Sequence, residues 1–291
     1  MTDKTIAVST TRVRSWLWAA LLSLLAFAAN SIFCRLALAQ GAIDPASFTA
    51  LRLLSGCAFL LILLRLRAPR QGLGGSWKGG VALFLYAWLF SLAYVQLGAG
   101  VGALVLFGAV QLTMFLYAWA RGERFSGRVT GGMLLAFAGL VLLLLPGAAA
   151  PPLASALVMA LAGVAWGAYS LLGKGSLRPL ADTAGNFLFS LPLLLLLVVG
   201  LAIGDGPVLG TSGVLYALAS GVLASGAGYA LWYGVVKQVS AQQAATMQLS
   251  VPVIASLGGV WLLGEAMSLR LLVASVVVLG GVGLALSARR R

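Results

Sequence analysis

Histidine is absent from this chain, and acidic side chains are few. The 291 residues include no His, six Asp or Glu and two Cys, and only 9% of them are charged. A soluble domain carries about 25% charged residues, and a mean hydropathy of +1.04 leaves no room for a soluble body. The two cysteines, Cys34 and Cys57, fall in apolar runs without metal-ligand spacing, so we expect them to be packing residues.

These absences exclude several function classes. An intramembrane enzyme needs a nucleophile with a base, or paired carboxylates, and the apolar runs hold neither. The net charge of +13 is compatible with nucleic-acid binding, but the basic residues lie in the breaks between apolar runs instead of along one face. We therefore expect a polytopic, monomeric membrane protein with no enzymatic activity, cofactor, metal or nucleic acid, whose partners are the lipid bilayer and a small-molecule substrate.

Ten apolar runs have about the 20 residues that cross a bilayer. They cover 16–39, 46–66, 79–97, 100–120, 127–146, 152–174, 182–203, 211–236, 240–263 and 268–288. Residues 1–15 resemble the charged region of a signal peptide, but the apolar run after them is about twice the usual length, so we interpret it as an uncleaved first helix. The predicted fold class is an all-α integral membrane protein with ten transmembrane helices.

Basic residues alternate between the breaks. Sixteen of the 19 lie at the termini or in every second break, and the remaining three are Arg35, Arg52 and Arg270. The positive-inside rule then places both termini in the cytoplasm, as in the inner membrane of a bacterium. Arg52 lies about two turns from the outer end of the second span, so we expect its side chain to extend outward to the interface.

One stretch of the chain occurs twice. The pattern Trp119-x-x-Gly122-Glu123-x-x-Ser126-x-Arg128 recurs 142 residues later as Trp261-x-x-Gly264-Glu265-x-x-Ser268-x-Arg270. Glycine permits a tight turn between two helices, and the serine is expected to cap the helix that follows. A repeated helical hairpin with an interfacial Glu and Arg accounts for the pattern, and a direct role of Glu123 or Glu265 in transport is the alternative.

The repeat extends over both halves of the chain. Asp44 to Phe48 precedes the second span as Asp182 to Phe187 precedes the seventh. The halves, residues 1–148 and 149–291, have five spans each, so the second half enters the membrane from the opposite side. Inverted repeats of this kind place a substrate site near the midplane of the bilayer and give inward-open and outward-open states of similar energy.

Polar and aromatic side chains concentrate in spans 1, 3, 4, 6, 8 and 9, whereas spans 2, 5, 7 and 10 are expected to be peripheral. Polar groups in hydrocarbon face protein or a cavity, which predicts a central cavity without charge near its centre. We expect Tyr86, Trp166, Tyr169, Tyr229 and Tyr233 to shape its pocket, and Asn30, Gln111 and Gln248 to contact the polar end of the substrate. Helix packing is the alternative for each of them.

Backbone interruptions are expected in two of these spans. Pro252 lies within the ninth span, and Gly226 and Gly228 lie within the eighth. The backbone groups that such residues free are tolerated only where protein or water receives them. We therefore predict hinges at these positions, with a simple kink in packed helices as the alternative.

The doubled Gly-Glu turn, the Pro252 helix and the five-plus-five layout resemble the drug/metabolite transporter superfamily, in its branch with two EamA-type repeats. The resemblance covers residues 16–287 and is strongest to YddG-type exporters of aromatic and other amino acids. It implies amino-acid export by alternating access, with export of other neutral metabolites or lipophilic drugs as the alternative. One departure is Val110, which stands in the first half where Pro252 stands in the second. Without histidine or an embedded carboxylate, we expect facilitated efflux.

Overall fold

The structure is a computed structural model, which describes the backbone of residues 3–147, 150–239 and 241–287, and their side chains except at 3–15, 241 and 242. The basic side chains of Lys4, Arg12, Arg14 and residues 289–291 thus lie outside the described part. The helices are α1 (Asp3–Leu38), α2 (Pro45–Arg67), α3 (Trp77–Tyr94), α4 (Ala99–Ala120), α5 (Gly127–Leu144), α6 (Leu153–Gly173), α7 (Pro179–Ser190), α8 (Leu194–Ile203), α9 (Thr211–Ala219), α10 (Gly228–Val236), α11 (Ala241–Gln248), α12 (Ser250–Leu263) and α13 (Leu269–Ser287). A 3₁₀-helix (Leu191–Leu193) joins α7 to α8, and a π-helix (Ser220–Ala227) joins α9 to α10.

Nine helical segments of the described ranges are long and apolar enough to cross a bilayer. They are α1 from Trp16, α2, α4, α5, α6, α7 with α8, α9 with α10, α11 with α12, and α13. The chain is therefore an integral, multi-pass membrane protein. The segment α3 has only 18 residues and carries Lys78 in its first turn, so the number of ten spans stays a prediction.

The helices are interrupted close to the positions that the sequence indicates. The π-helix contains Gly226 and ends directly before Gly228. Leu249 separates α11 from α12 three residues before Pro252, because a proline ring clashes with the carbonyl four residues earlier and lacks an N–H. The 3₁₀-helix at Leu191–Leu193 was not predicted, although Pro192 within it is the signal.

Both copies of the repeated turn have the predicted local geometry. Gly122 and Gly264 have φ of 85° and 66°, the left-handed region that favours glycine. Ser126 Oγ accepts a hydrogen bond from the N–H of Val129 at 3.4 Å, and Ser268 Oγ accepts one from Leu271 at 3.1 Å. Each serine thus satisfies an N–H that the first turn of α5 or α13 leaves without a helical partner.

The last helix of each half packs against the other with its backbone in close approach. A Cβ on Gly132 of α5 would lie 2.5 Å from the carbonyl oxygen of Gly281 in α13, and a Cβ on Gly139 would lie 2.9 Å from the N atom of Val278. Residues later in the sequence of α5 therefore contact residues earlier in the sequence of α13, so the two helices run antiparallel. Glycine at these contacts brings the backbones together, as in other membrane helix pairs.

Two aspartates hold corresponding loops. Asp44 caps α2 by accepting the N–H of Ser47 at 2.8 Å, and its other oxygen accepts the N–H of Val208, in the loop before α9, at 2.9 Å. Asp182, in the first turn of α7, accepts the N–H of Gly75, in the loop before α3, at 3.1 Å. Each aspartate thus ties the start of its own helix to the loop that leads into the third span of the opposite half.

The expectation that the second span is peripheral was wrong. Half of its most apolar window is buried (50%), against 22% for the segment of α11 and α12, which was expected to line a cavity. The buried face of α2 includes Thr49, Arg52, Gly56, Cys57 and Leu60, and it packs on α3, α7, α9 and the π-helix. Small residues on this face allow the π-helix backbone to approach, which places α2 inside the bundle.

Alanine at Gly281 is expected to destabilise the protein. Its Cβ would lie 2.6 Å from two backbone atoms, the O of Gly132 and the N of Ala136, so a helix must shift, and overpacking typically costs about 1–3 kcal/mol. The neighbouring Gly280 is exposed and has open space around its Cβ, so Gly280→Ala is the matched control and should leave the unfolding temperature in detergent unchanged or slightly higher. Equal losses in both variants would contradict the packing.

Alanine at Asp44 should lower the unfolding temperature, because the loss of a helix cap lowers the free energy of unfolding by about 0.5–2 kcal/mol. Burial acts to raise the pKa of Asp44, but hydrogen bonds from Ser47, Val208 and Ala46 outweigh it and bring the pKa below its ordinary value of 3.8. A depressed pKa stabilises the fold above the unfolded-state value, and this stabilisation is lost as the pH falls through the folded-state pKa. The difference in unfolding temperature between the parent protein and the Asp44→Ala variant should therefore be largest at pH 7 and decrease in acid. A difference that is constant with pH would show that the carboxylate charge does not matter.

Candidate functional site

A network of buried polar side chains lies between α1, α2, α3 and the π-helix. Asn30 Nδ2 and Arg52 Nη2 both donate to the hydroxyl oxygen of Tyr86, at 3.3 and 3.1 Å. Ser220 Oγ donates to Asn30 Oδ1 at 2.6 Å, and Arg52 Nε donates to Ser225 Oγ at 3.3 Å. All five residues are buried. Such groups are costly to bury in hydrocarbon and usually mark a functional site, so this central polar network is the first candidate site.

Aromatic rings extend the network toward α6 and α10. Tyr86 contacts Trp166 with ring centroids 4.5 Å apart, and Trp166 stacks on Tyr169 at 5.2 Å and on Tyr229 at 5.4 Å. Phe27 contacts Tyr229 at 5.7 Å. These five residues form the ring cluster, which contains four of the five aromatic side chains that the sequence indicated. Each of these pairs is in direct contact, while Trp166 and Phe27 are only partly buried, so the open, ring-lined chamber stays a prediction.

The fifth indicated aromatic residue, Tyr233, lies one helical turn beyond Tyr229 on α10. Its hydroxyl is hydrogen-bonded to that of Thr183 in α7. Tyr233 is half-buried and packs at the edge of the core. It therefore borders the ring cluster and connects α10 to α7.

Arg52 does not extend to the interface, which corrects the expectation from the sequence. Its side chain is 2% exposed, and its guanidinium carbon lies 5.1 Å from the ring centroids of both Tyr86 and Phe90. The helical face that it shares with Thr49 and Gly56 packs inward, which holds the guanidinium away from the interface. The site therefore carries a positive charge, and the prediction of a charge-free centre was wrong. Small and polar residues one turn to either side of Arg52 were the signal in the sequence.

Within the described ranges, the two glutamines expected at the site stand apart from the central polar network, and their contact with a substrate stays a prediction. Gln111 is buried in α4, and Gln248 is partly exposed at the end of α11. Among the described residues, no hydrogen bond joins either side chain to the central polar network. Ser220 and Arg52 take the polar positions instead, and nothing in the local pattern around Ser220 indicates its role.

The glutamate of the second repeated turn closes one end of the bundle. Glu265 Oε1 accepts a hydrogen bond from Arg35 Nε at 3.1 Å, and Oε2 accepts one from the N–H of Ala99, the first residue of α4, at 2.8 Å. Arg35 Nη1 also donates to the carbonyl oxygens of Tyr94 and Val95 at 3.2 and 2.9 Å. This set joins α1, α3, α4 and the turn after α12, and we call it the Arg35–Glu265 bridge.

The corresponding pair at the other end of the bundle is apart. Glu123 occupies the same place in the first repeated turn, and Lys174 follows α6 as Arg35 ends α1. Both side chains are exposed, and among the described residues no ion pair involves either of them. The two ends of the bundle therefore differ, although both turns have the repeated Trp, Gly, Glu, Ser and Arg.

Apolar spanning helices that enclose a buried polar and aromatic network are typical of multi-pass membrane transporters. The model of the EamA-like transporter family matches residues 153–287. The chain is 54% identical over 272 residues to the uncharacterised protein PA1977 of Pseudomonas aeruginosa, covering 92% of this chain and 93% of that protein. It is 29% identical over 243 residues to the uncharacterised transporter YwfM of Bacillus subtilis, covering 80% and 81%.

The chain belongs to the EamA-like transporter family, within the drug/metabolite transporter superfamily. A solved crystal structure has the same fold, with a TM-score of 0.65 and 22% identity, over 94% of this chain and 97% of that one. At this identity the likeness concerns the fold alone.

Proposed function

We propose that this transporter exports neutral or zwitterionic amino acids across the inner membrane, by alternating access through the central polar network and the ring cluster. The observation that carries the proposal is the buried combination of hydrogen-bonding groups and stacked rings, contributed by helices of both halves of the chain. Aromatic rings accept a large apolar body, and the polar groups orient its other end. Both termini would lie in the cytoplasm, as the distribution of basic residues indicates.

The architecture supports alternating access between two inverted five-helix repeats, residues 1–148 and 149–291. Equivalent helices α5 and α13 run antiparallel, as expected if the two copies enter the membrane from opposite sides. The loop contacts of Asp44 and Asp182 are also exchanged between the halves. Two halves that can exchange conformations give two states of similar energy, each open to one side.

The two glutamates of the repeated turns fit the roles of alternating closures. The Arg35–Glu265 bridge is formed at the end that the charge distribution assigns to the outside, while Glu123 and Lys174 are apart at the cytoplasmic end. In the opposite state the second pair would form and the first would separate. The buried charge of Arg52 also disfavours cationic drugs as cargo, because like charges repel in a low-dielectric site.

Alanine in place of Trp166 or Tyr229 should reduce amino-acid counterflow in proteoliposomes roughly ten-fold, since each ring contact with substrate is worth about 1–3 kcal/mol. The assay is run with phenylalanine and without an imposed pH gradient, because no described carboxylate lies in the network. Matched controls are Trp261→Ala and Tyr117→Ala, whose side chains are 85% and 50% exposed. Unchanged counterflow in both site variants, or a strict requirement for a pH gradient, would contradict the proposal.

Glutamine at Glu265 should open the outer end of the bundle. A charge-assisted hydrogen bond contributes roughly 1.5–3 kcal/mol, so its loss should speed the opening roughly ten-fold. Cys34 reports on this opening, because it is fully buried next to Arg35. In a Cys57→Ala background, an impermeant thiol reagent applied to the outer face should label Cys34 faster in the Glu265→Gln variant.

The corresponding control changes the other end of the bundle. Glu123→Gln removes the equivalent charge from the exposed partner of the first turn, and it should not speed the labelling of Cys34. Equal labelling rates in Glu265→Gln and the parent protein would show that the Arg35–Glu265 bridge does not hold this end closed.

A further inference from the structure

The guanidinium of Arg52 is buried, and no described carboxylate serves as its counter-ion. It lies on α2 seven residues after Pro45, about 10 Å along the helix at 1.5 Å per residue, and its side chain is 2% exposed. The structure describes five acidic side chains, and none of them pairs with it. Those of Asp44, Asp182 and Glu265 are engaged with loop or turn partners, and those of Glu123 and Asp205 are exposed.

The hydrogen bonds of Arg52 use two of its three guanidinium nitrogens. Nε donates to Ser225 and Nη2 donates to Tyr86, but Nη1 is buried and has no acceptor among the described residues. A guanidinium has five N–H donors in a fixed plane, so the two N–H groups of Nη1 point to a missing acceptor. A buried polar nitrogen without a partner is uncommon in native proteins and calls for an explanation.

The hydroxyl of Tyr86 adds a second donor beside Arg52. Both of its hydrogen bonds, from Asn30 Nδ2 and Arg52 Nη2, are accepted by the hydroxyl oxygen. The proton of that hydroxyl takes part in neither bond, and it is therefore left to donate to an additional group. Two donors at one place, one of them charged, are suited to an anion.

The type of anion follows from the charge and the surroundings. A carboxylate has one negative charge and two oxygens that match the planar fork of arginine. A phosphate would bring more negative charge, and every lysine of the chain lies at the end of an apolar run or in a break between runs. Trp166, which contacts Tyr86 at 4.5 Å and Tyr229 at 5.4 Å, supplies apolar ring surface next to the donors.

We propose that Arg52 Nη1 and the Tyr86 hydroxyl bind the carboxylate of the transported molecule, while the rings of Trp166 and Tyr229 contact its apolar body. This rests on the proposed transport function and makes it more specific, because the free carboxylate becomes the required group of the substrate. The α-amino group is not required by these contacts. The unpaired charge of Arg52 is then retained because the substrate, and not the protein, supplies its counter-ion.

The test compares acids with their amides on the purified full-length protein. Phenylalanine, methionine and leucine are measured beside phenylalaninamide, methioninamide and leucinamide, together with 3-phenylpropionate, which lacks the amino group. Binding is followed through the unfolding temperature, which a ligand of the folded state raises. We expect the acids, including 3-phenylpropionate, to raise it by a few degrees and the amides to leave it unchanged. Equal shifts for acids and amides, or no shift with any acid, would overturn the carboxylate site.

Variants of Arg52 separate binding from folding. Arg52→Gln should weaken acid binding about ten-fold or more, the size of a lost charge-assisted hydrogen bond, and Arg52→Lys should restore it only in part because lysine lacks the planar fork. Arg65→Gln, on the exposed end of the same helix, is the matched control and should bind like the parent protein. Parent-like acid binding in Arg52→Gln would refute the assignment.

A third measurement needs no ligand. Removing an unpaired buried charge should not weaken the fold, so Arg52→Met should unfold at the same or a higher temperature than the parent protein. A clear loss of stability would instead assign Arg52 to the structure, through Tyr86 and Ser225. Failure of the carboxylate site is distinguishable from failure of the proposed function, because a transporter without this site would carry the amides across proteoliposomes as fast as the acids.

Discussion

Hydrocarbon offers no hydrogen bonds, and this constraint governs every polar group in the structure. The backbone satisfies itself within helices, and where Pro252 interrupts the ladder, the N–H of Leu249 bonds to the carbonyl of Thr246 instead. Serine hydroxyls bond to the carbonyl one turn earlier, as Ser23 does to Ala19 at 2.6 Å. Against this background of satisfied groups, Nη1 of Arg52 is an exception, because it has no acceptor in the described part of the chain.

The candidate site combines two chemistries that usually require different surroundings. Stacked rings favour an apolar, water-poor space, whereas a guanidinium favours water or an anion. Tyr86 reconciles them, because its ring lies against the guanidinium at 5.1 Å and its hydroxyl accepts a hydrogen bond from it. The π-helix brings Ser220 and Ser225 to the same place, and such helices are frequent at functional sites.

Several contacts of the framework are alike in the two halves of the chain, and others differ between them. Both halves contribute glycines to the close contact between α5 and α13, and both have an aspartate, Asp44 or Asp182, that binds a loop of the other half. The glutamates of the two turns differ, because Glu265 is paired in the Arg35–Glu265 bridge and Glu123 is exposed. A transporter with identical ends would be open or closed on both sides, so the proposed alternating access depends on such a difference between the two turns.

The sequence by itself determined the membrane class, the family resemblance, the doubled turn with its glycine and serine, and the interruptions near Gly226 and Pro252. Those features depend on local chemistry, namely the length of apolar runs, left-handed glycine, helix capping and the missing N–H of proline. Sequence reasoning also indicated Asn30, Tyr86, Trp166, Tyr169 and Tyr229, which the structure brings together, because aromatic and polar groups within hydrocarbon need protein around them. Only the tertiary structure decided that Arg52 points inward, that α2 is central and that Gln111 and Gln248 lie outside the network. The direction of a side chain around a helix axis is fixed by the neighbours that the helix packs against, and a one-dimensional pattern does not contain those neighbours.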